Sequence, residues 1–196
     1  KLWKMSATAM IDFKDYDLFI SNITTLHETS KDASDKDNIQ YMTDSNLKVV
    51  DFDKVKECYH NLYAHSKQKD LISSADALAK TSESLVLIEF KNGNMQNSDQ
   101  KRKVKEKLRD SLLLLSGIID KSIAYSRVNV DFILVYNEDK DKSRLDISKH
   151  FLGKGGEELI RFDLERFKHV YLREIHTYTK AEFSCYLDEL IDCIGN

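Results

Sequence analysis

Residues 73–94 read SSADALAKTSESLVLIEFKNGN, and this pattern restricts the fold more than any other stretch of the chain. The run LVLIEF is apolar at successive positions, as a strand buried on both faces must be, yet it carries Glu89 and closes on Lys91. Burying either charge is costly unless a partner neutralises it. A second acid, Asp76, sits in the shorter apolar run upstream, with twelve residues between it and Glu89. A turn over Thr81 to Ser84 makes a hairpin in which Lys80 pairs with Leu85, Leu78 with Leu87, and Asp76 with Glu89. Cross-strand partners share a face, their Cβ atoms about 4.5–5.5 Å apart. Lys91, two residues after Glu89, points to that face as well. Val86, Ile88 and Phe90 then face the opposite layer.

Two carboxylates opposed across a ladder repel, and the repulsion grows as the effective dielectric falls. A single lysine balances only one of them. A divalent cation balances both, and two carboxylates with waters and a substrate phosphate form the oxygen set that magnesium prefers. Lys91 would then orient or deprotonate an attacking water, while the ion polarises the phosphorus and stabilises the leaving oxygen.

The order Asp76, twelve residues, Glu89-Phe90-Lys91 at the end of an apolar strand resembles the PD-(D/E)XK phosphodiesterase superfamily, which includes restriction endonucleases, junction resolvases and bacterial toxin nucleases. Ala75 stands where the motif's name has proline. The resemblance covers about residues 49–136. It implies an α/β fold with a restriction endonuclease-like mixed β-sheet core flanked by α-helices. It also implies Mg2+ (or Mn2+) held by Asp76 and Glu89, with Lys91 serving the water. In this superfamily an upstream acid often completes the metal shell, which points to Glu57, although Glu57 lies off the inner stripe of its helix.

The segment after the hairpin supports a polyanionic substrate. KRKVKEKLR, Lys101 to Arg109, has six basic residues in nine, in a chain whose net charge is −3. Such a local patch can meet a phosphate backbone where the global field cannot. Val104, Leu108, Leu112, Leu115 and Ile119 recur at helical spacing, so this is a long amphipathic helix. Lys103, Lys107 and Ser111 flank its apolar stripe and are the candidates for substrate contact.

Elsewhere the pattern predicts a helix over Met10 to Leu26, a mobile polar loop through HETSKDASDKDNIQ, and a strand at LKVV. A helix follows, capped by Asp53, with Val55, Tyr59 and Leu62 inward. RVNVDFILVYNED reads as a central strand, GEELIRFDLERF as a helix and HVYLREIHTY as a strand. The last helix opens on a capping box, Thr179 with Glu182, before Phe183, Leu187, Leu190 and Ile194. At 196 residues this is one domain, with an N-terminal helix and a C-terminal αβα extension around the core.

Other signals lead nowhere. Asp139 to His150 starts like a calcium loop but has Arg144 where the sharp turn needs glycine. Gly153 to Gly156 lacks the spacing of a phosphate-binding loop and reads as a helix entry. Cys58, Cys185 and Cys193 lack CxxC spacing and read as reduced thiols. No apolar run approaches the roughly 20 residues that span a bilayer, so a soluble protein with no membrane partner is expected. A chain that starts at Lys1 reads as trimmed, or as an internal or C-terminal piece of a longer one.

The function expected is a metal-dependent endonuclease acting on DNA or RNA. It would be a bacterial toxin or defence effector, acting in the cytoplasm, delivered within a larger secreted protein or paired with a cognate immunity or inhibitor protein. The alternative is a catalytically inactive module of the same fold that binds nucleic acid or a protein partner.

Overall fold

The structure, a computed structural model, describes residues 10–63, 72–140 and 159–194. Among these, eight strands form two sheets, and the larger has six strands in the order β1-β4-β5-β6-β7-β8. Its centre is β6 (Leu85–Lys91) beside β7 (Val130–Tyr136), paired in parallel from Leu85 with Val130 to Lys91 with Tyr136. On one flank β5 (Ala77–Lys80), β4 (Lys48–Asp51) and β1 (Ile23–Thr25) add antiparallel. On the other, β8 (Ile175–Thr179) adds parallel to β7. The sheet is therefore mixed, as the α/β reading expects.

Alternation along β6 sends its side chains into two cores. Leu85 and Leu87 join one apolar cluster with Val104, Leu108, Leu112 and Leu115, whereas Val86, Ile88 and Phe90 join another with Phe183 and Leu187. The first cluster is closed by α4 (Ser98–Ile119). Asn97 caps it by accepting from the Asp99 amide at 2.8 Å, and Asp120 ends it in the left-handed region at φ 50°. A parallel pair needs a long crossover, and α4 with α5 (Ile123–Asn129) supplies the one from β6 to β7. The second cluster is closed by α6 (Lys180–Ile194), whose capping box forms as expected. Thr179 accepts from the Glu182 amide at 3.1 Å and donates its own amide to the Glu182 carboxylate at 2.7 Å.

Several expectations are corrected. The N-terminal segment is not one helix but a 3-10 turn, the short α1 (Asp17–Ile20) and strand β1. Asn22 turns the chain, its side chain donating to the Leu18 carbonyl and its carbonyl accepting from Asp51. The β-branched Ile23, Thr24 and Thr25 then take the edge of the sheet. The polar loop is instead structured. It holds α2 (Leu26–Thr29) and the hairpin of β2 (Lys31–Asp32) and β3 (Gln40–Tyr41), tied by the buried Ser30 hydroxyl, which accepts from the Met42 and Thr43 amides.

Helix α3 (Phe52–Tyr63) is capped by Asp51 rather than Asp53, since Asp51 accepts from the Lys54 amide. Val55 is buried, but Leu62 faces solvent. Of the helix expected through GEELIRFDLERF, the described residues from 159 onward hold only a 3-10 turn at Glu165–Phe167, because Phe162 and Asp163 adopt positive φ. His169 does so too, which shortens the following strand to β8. The expectations for Gly153 to Gly156 and for Asp141 to His150 lie outside the described residues.

Candidate active site

The hairpin forms in the register the turn length dictates, with Lys80 opposite Leu85 and Leu78 opposite Leu87. The paired register ends at Ala77 opposite Ile88, so Asp76 does not form the rung expected with Glu89; its amide instead donates to the Ile88 carbonyl at 3.0 Å. Its carboxylate is then aimed by the next rung, where Oδ2 accepts from the Phe90 amide at 2.6 Å. Glu89 lies fully buried within β6, and Lys91 at the strand's end brings Nζ to 2.7 Å from Glu89 Oε1. The three side chains expected to converge do so.

A fourth joins them. Lys107 reaches down from α4, its Nζ 3.0 Å from Asp76 Oδ1, 2.9 Å from Glu89 Oε1 and 3.0 Å from Glu89 Oε2. This changes the charge argument, because two lysines balance two carboxylates with no further ion. The expectation that one lysine would leave a carboxylate uncompensated is corrected on this point: helix packing brings a second ammonium that the hairpin alone does not reveal. The balance is imperfect in geometry. Both ammoniums lie within ion-pair distance of Glu89 Oε1, yet neither meets it at a hydrogen-bonding angle, so this buried oxygen has no hydrogen bond.

The electrostatics follow from burial. Desolvation, then the nearby Glu89 charge, push the Asp76 carboxyl up to about 7, against the opposing pull of Lys107 and the Phe90 amide. Burial works against the Lys107 ammonium, but the Glu89 and Asp76 charges outweigh it and hold its pKa above the ordinary lysine value.

The helix is set at the right height by Ser111. Its hydroxyl donates to the Lys107 carbonyl at 2.6 Å and accepts from the Ala75 amide at 2.7 Å, which ties α4 to the residue before Asp76. Ser111 is fully buried and so does not reach outward as expected. Lys103 is exposed on α4 and is not among the residues lining the cavity beside the acids. Glu57 is exposed on α3. The acid that α3 does bring close is Asp53. It accepts from Ser74 at 2.5 Å and Lys56 at 2.8 Å, and its charge is felt by Lys107. Burial pushes the Asp53 carboxyl up, but those hydrogen bonds and the Lys107 charge bring it below the usual range. Its place in the first turn of the preceding helix was the available signal.

Beside the acids opens a cavity of about 430 Å³. Asp76, Phe90 and Lys91 form its floor, Gln100 and Lys107 one side, and residues of α2 and β2 with Met42 and Asn92 the other, with Lys140 also on the lining. Four lysines line it against two aspartates. Asn92 holds the far wall, donating to Asp32 and Gln40 at 2.8 Å each and accepting from Asn137 at 2.7 Å.

Asp76 and Glu89 are a pair rather than a cluster. Among the described residues no three His, Cys, Asp or Glu side chains gather as a group able to hold a metal. The pair still fits a hard divalent ion: both donors are carboxylates, three of their oxygens surround one cationic nitrogen, and one of these is buried without a hydrogen bond. Among the described residues no helix is long and apolar enough to cross a membrane. No family model, curated protein or solved structure matches the chain.

Proposed function

We propose that the chain is a metal-dependent nuclease of the restriction endonuclease-like kind, hydrolysing phosphodiester bonds of DNA or RNA. The observation that carries this reading is the meeting of Asp76, Glu89 and Lys91 at the open end of β6, beside a lysine-rich cavity. Asp76 and Glu89 would hold Mg2+ or Mn2+, which supplies Lewis-acid polarisation of the phosphorus and charge stabilisation at the leaving oxygen. Lys91, fixed by Glu89, is placed to orient a water for attack. Lys31 and Lys140 on the cavity lining are placed to hold flanking phosphates, which positions the scissile bond. The neutral balance of the centre and the net charge of −3 leave this patch as the route to a polyanion. A role as a toxin or defence effector, with a cognate inhibitor protein, belongs to this reading.

The test is cleavage of plasmid DNA and of tRNA with Mg2+ or Mn2+, comparing the natural chain with Glu89→Gln. Loss of cutting in the variant and in chelator supports the reading; no cutting by the natural chain with any divalent ion ends it. One observation favours a second reading, a binding module without catalysis: Lys91 and Lys107 already neutralise both acids. That reading predicts salt-sensitive nucleic-acid binding that chelators and Glu89→Gln leave unchanged.

A further inference from the structure

The Lys107 ammonium is gripped by three carboxylate oxygens at 2.9–3.0 Å, one from Asp76 and two from Glu89. Three oxygens around one cation outline the seat of a divalent ion, and the seat is wider than the about 2.0–2.1 Å of magnesium–oxygen contacts because its occupant is an ammonium. Lys91 touches one of these three oxygens, Glu89 Oε1, at 2.7 Å. The two lysines are also mounted differently. Lys91 sits on the same strand as Glu89 and is 17% exposed, whereas Lys107 hangs from α4, pairs with both acids and is 22% exposed; both line the cavity. The Ser111 bonds to Ala75 and to the Lys107 carbonyl pin the helix backbone there. A change of Lys107 rotamer therefore does not require its helix to move.

We propose that Lys107 is a resident stand-in for the divalent ion: the ion enters by taking the Asp76 and Glu89 oxygens, and the ammonium turns outward into the cavity to meet a substrate phosphate. This rests on the metal-dependent reading above. Lys107 stays an ammonium throughout. The charge balance then changes. With both lysines retained, the added ion leaves the centre with an excess of two positive charges, which an anionic backbone offsets. Ion and nucleic acid thus bind with positive coupling, each raising the affinity for the other by the same factor.

The experiment is calorimetric titration of Mn2+ into the natural chain, Lys107→Met and Lys107→Gln, without nucleic acid, with melting curves to show that each variant is folded. Removing the competing charge should tighten Mn2+ binding about tenfold or more in both variants. If the natural chain binds Mn2+ and the variants bind it equally or more weakly, the stand-in role is overturned and the metal site survives. If none of the three proteins binds Mn2+, both readings fall. A second measurement needs no variant: acylation of the natural chain by a neutral amine reagent, mapped by mass spectrometry. Lys107 labelling should rise severalfold on saturation with Mn2+ while exposed Lys36 stays constant, and flat Lys107 labelling at saturation overturns the proposal.

Discussion

The Phe90 amide donates to Asp76 Oδ2 at 2.6 Å, so the strand that carries Glu89 also aims its opposing acid. The other Asp76 oxygen is left for Lys107. Burial and the Glu89 charge raise the Asp76 pKa to about 7 from the ordinary 3.8. A raised folded-state pKa means that the folded chain holds a proton the unfolded chain has lost. Its stabilisation is full below the ordinary value and is lost as pH rises through about 7. In chelator, the natural chain should therefore lose stability relative to Asp76→Asn by up to about 1.4 kcal/mol per pH unit across that window. Denaturant midpoints at several pH values would show it, and parallel curves for the two proteins would refute it.

Ser111→Ala leaves the buried Ala75 amide without its hydrogen-bond partner. An unsatisfied buried donor costs about 1–3 kcal/mol, so the urea midpoint should fall accordingly. If the proposed nuclease function holds, cleavage should fall too, because the same bond sets the height of Lys107 against Asp76. A midpoint unchanged from the natural chain would mean that the bond contributes nothing.

Removing Glu89 leaves Lys91 without its partner and Lys107 with Asp76 alone. Glu89→Ala in metal-free protein should cost about 3 kcal/mol, the lower end for a broken buried pair, because Lys91 and Lys107 keep an edge to solvent. Adding Lys107→Met should return part of that loss, giving a non-additive double-mutant cycle. Additive losses measured by urea unfolding would argue that the pair does not interact.

A second buried acid holds the opposite end of the sheet. Asp131 takes Arg173 at both oxygens, at 2.8 and 2.7 Å, and accepts from Ser84 at 2.6 Å. Asp131→Ala should cost about 3–5 kcal/mol. Glu83→Ala, which removes only the exposed partner of the same arginine, should cost under about 1 kcal/mol. Comparable melting shifts for the two variants would contradict this ranking.

Asn92→Ala should loosen the cavity wall and spare its floor. The amide side chain holds Asp32 and Gln40, so hydrogen exchange should quicken in residues 31–41 while β6 amides keep their protection. If the proposed nuclease function holds, KM should rise more than kcat falls. Unchanged exchange in the hairpin would place its anchor elsewhere.

The floor of the site was legible because the information is local. Four residues from Thr81 to Ser84 set the register, and alternation along LVLIEF shows which side chains face together. The stripe from Val104 to Ile119 likewise reads as a helix from its own spacing, and all five residues are buried. Lys107 was visible as one of six basic residues, but which of them turns toward the acids depends on how α4 docks, and that is a tertiary fact. The wall was illegible for a related reason. Strands β2 and β3 are two residues each, too short to show a period, and are held by the Ser30 hydroxyl and by Asn92 from distant sequence. At the N-terminus, helical spacing and β-branched residues overlap, and pairing with β4 decides the outcome.

The Asn92 anchor separates two jobs. The paired acids and their lysines come from one hairpin and one helix, while the shape of the entrance is set by a short appendage fastened through amide groups. Such an appendage is an exchangeable cassette: residues 33–39 could be lengthened or replaced to admit a bulkier guest without redesigning the reacting groups beneath it.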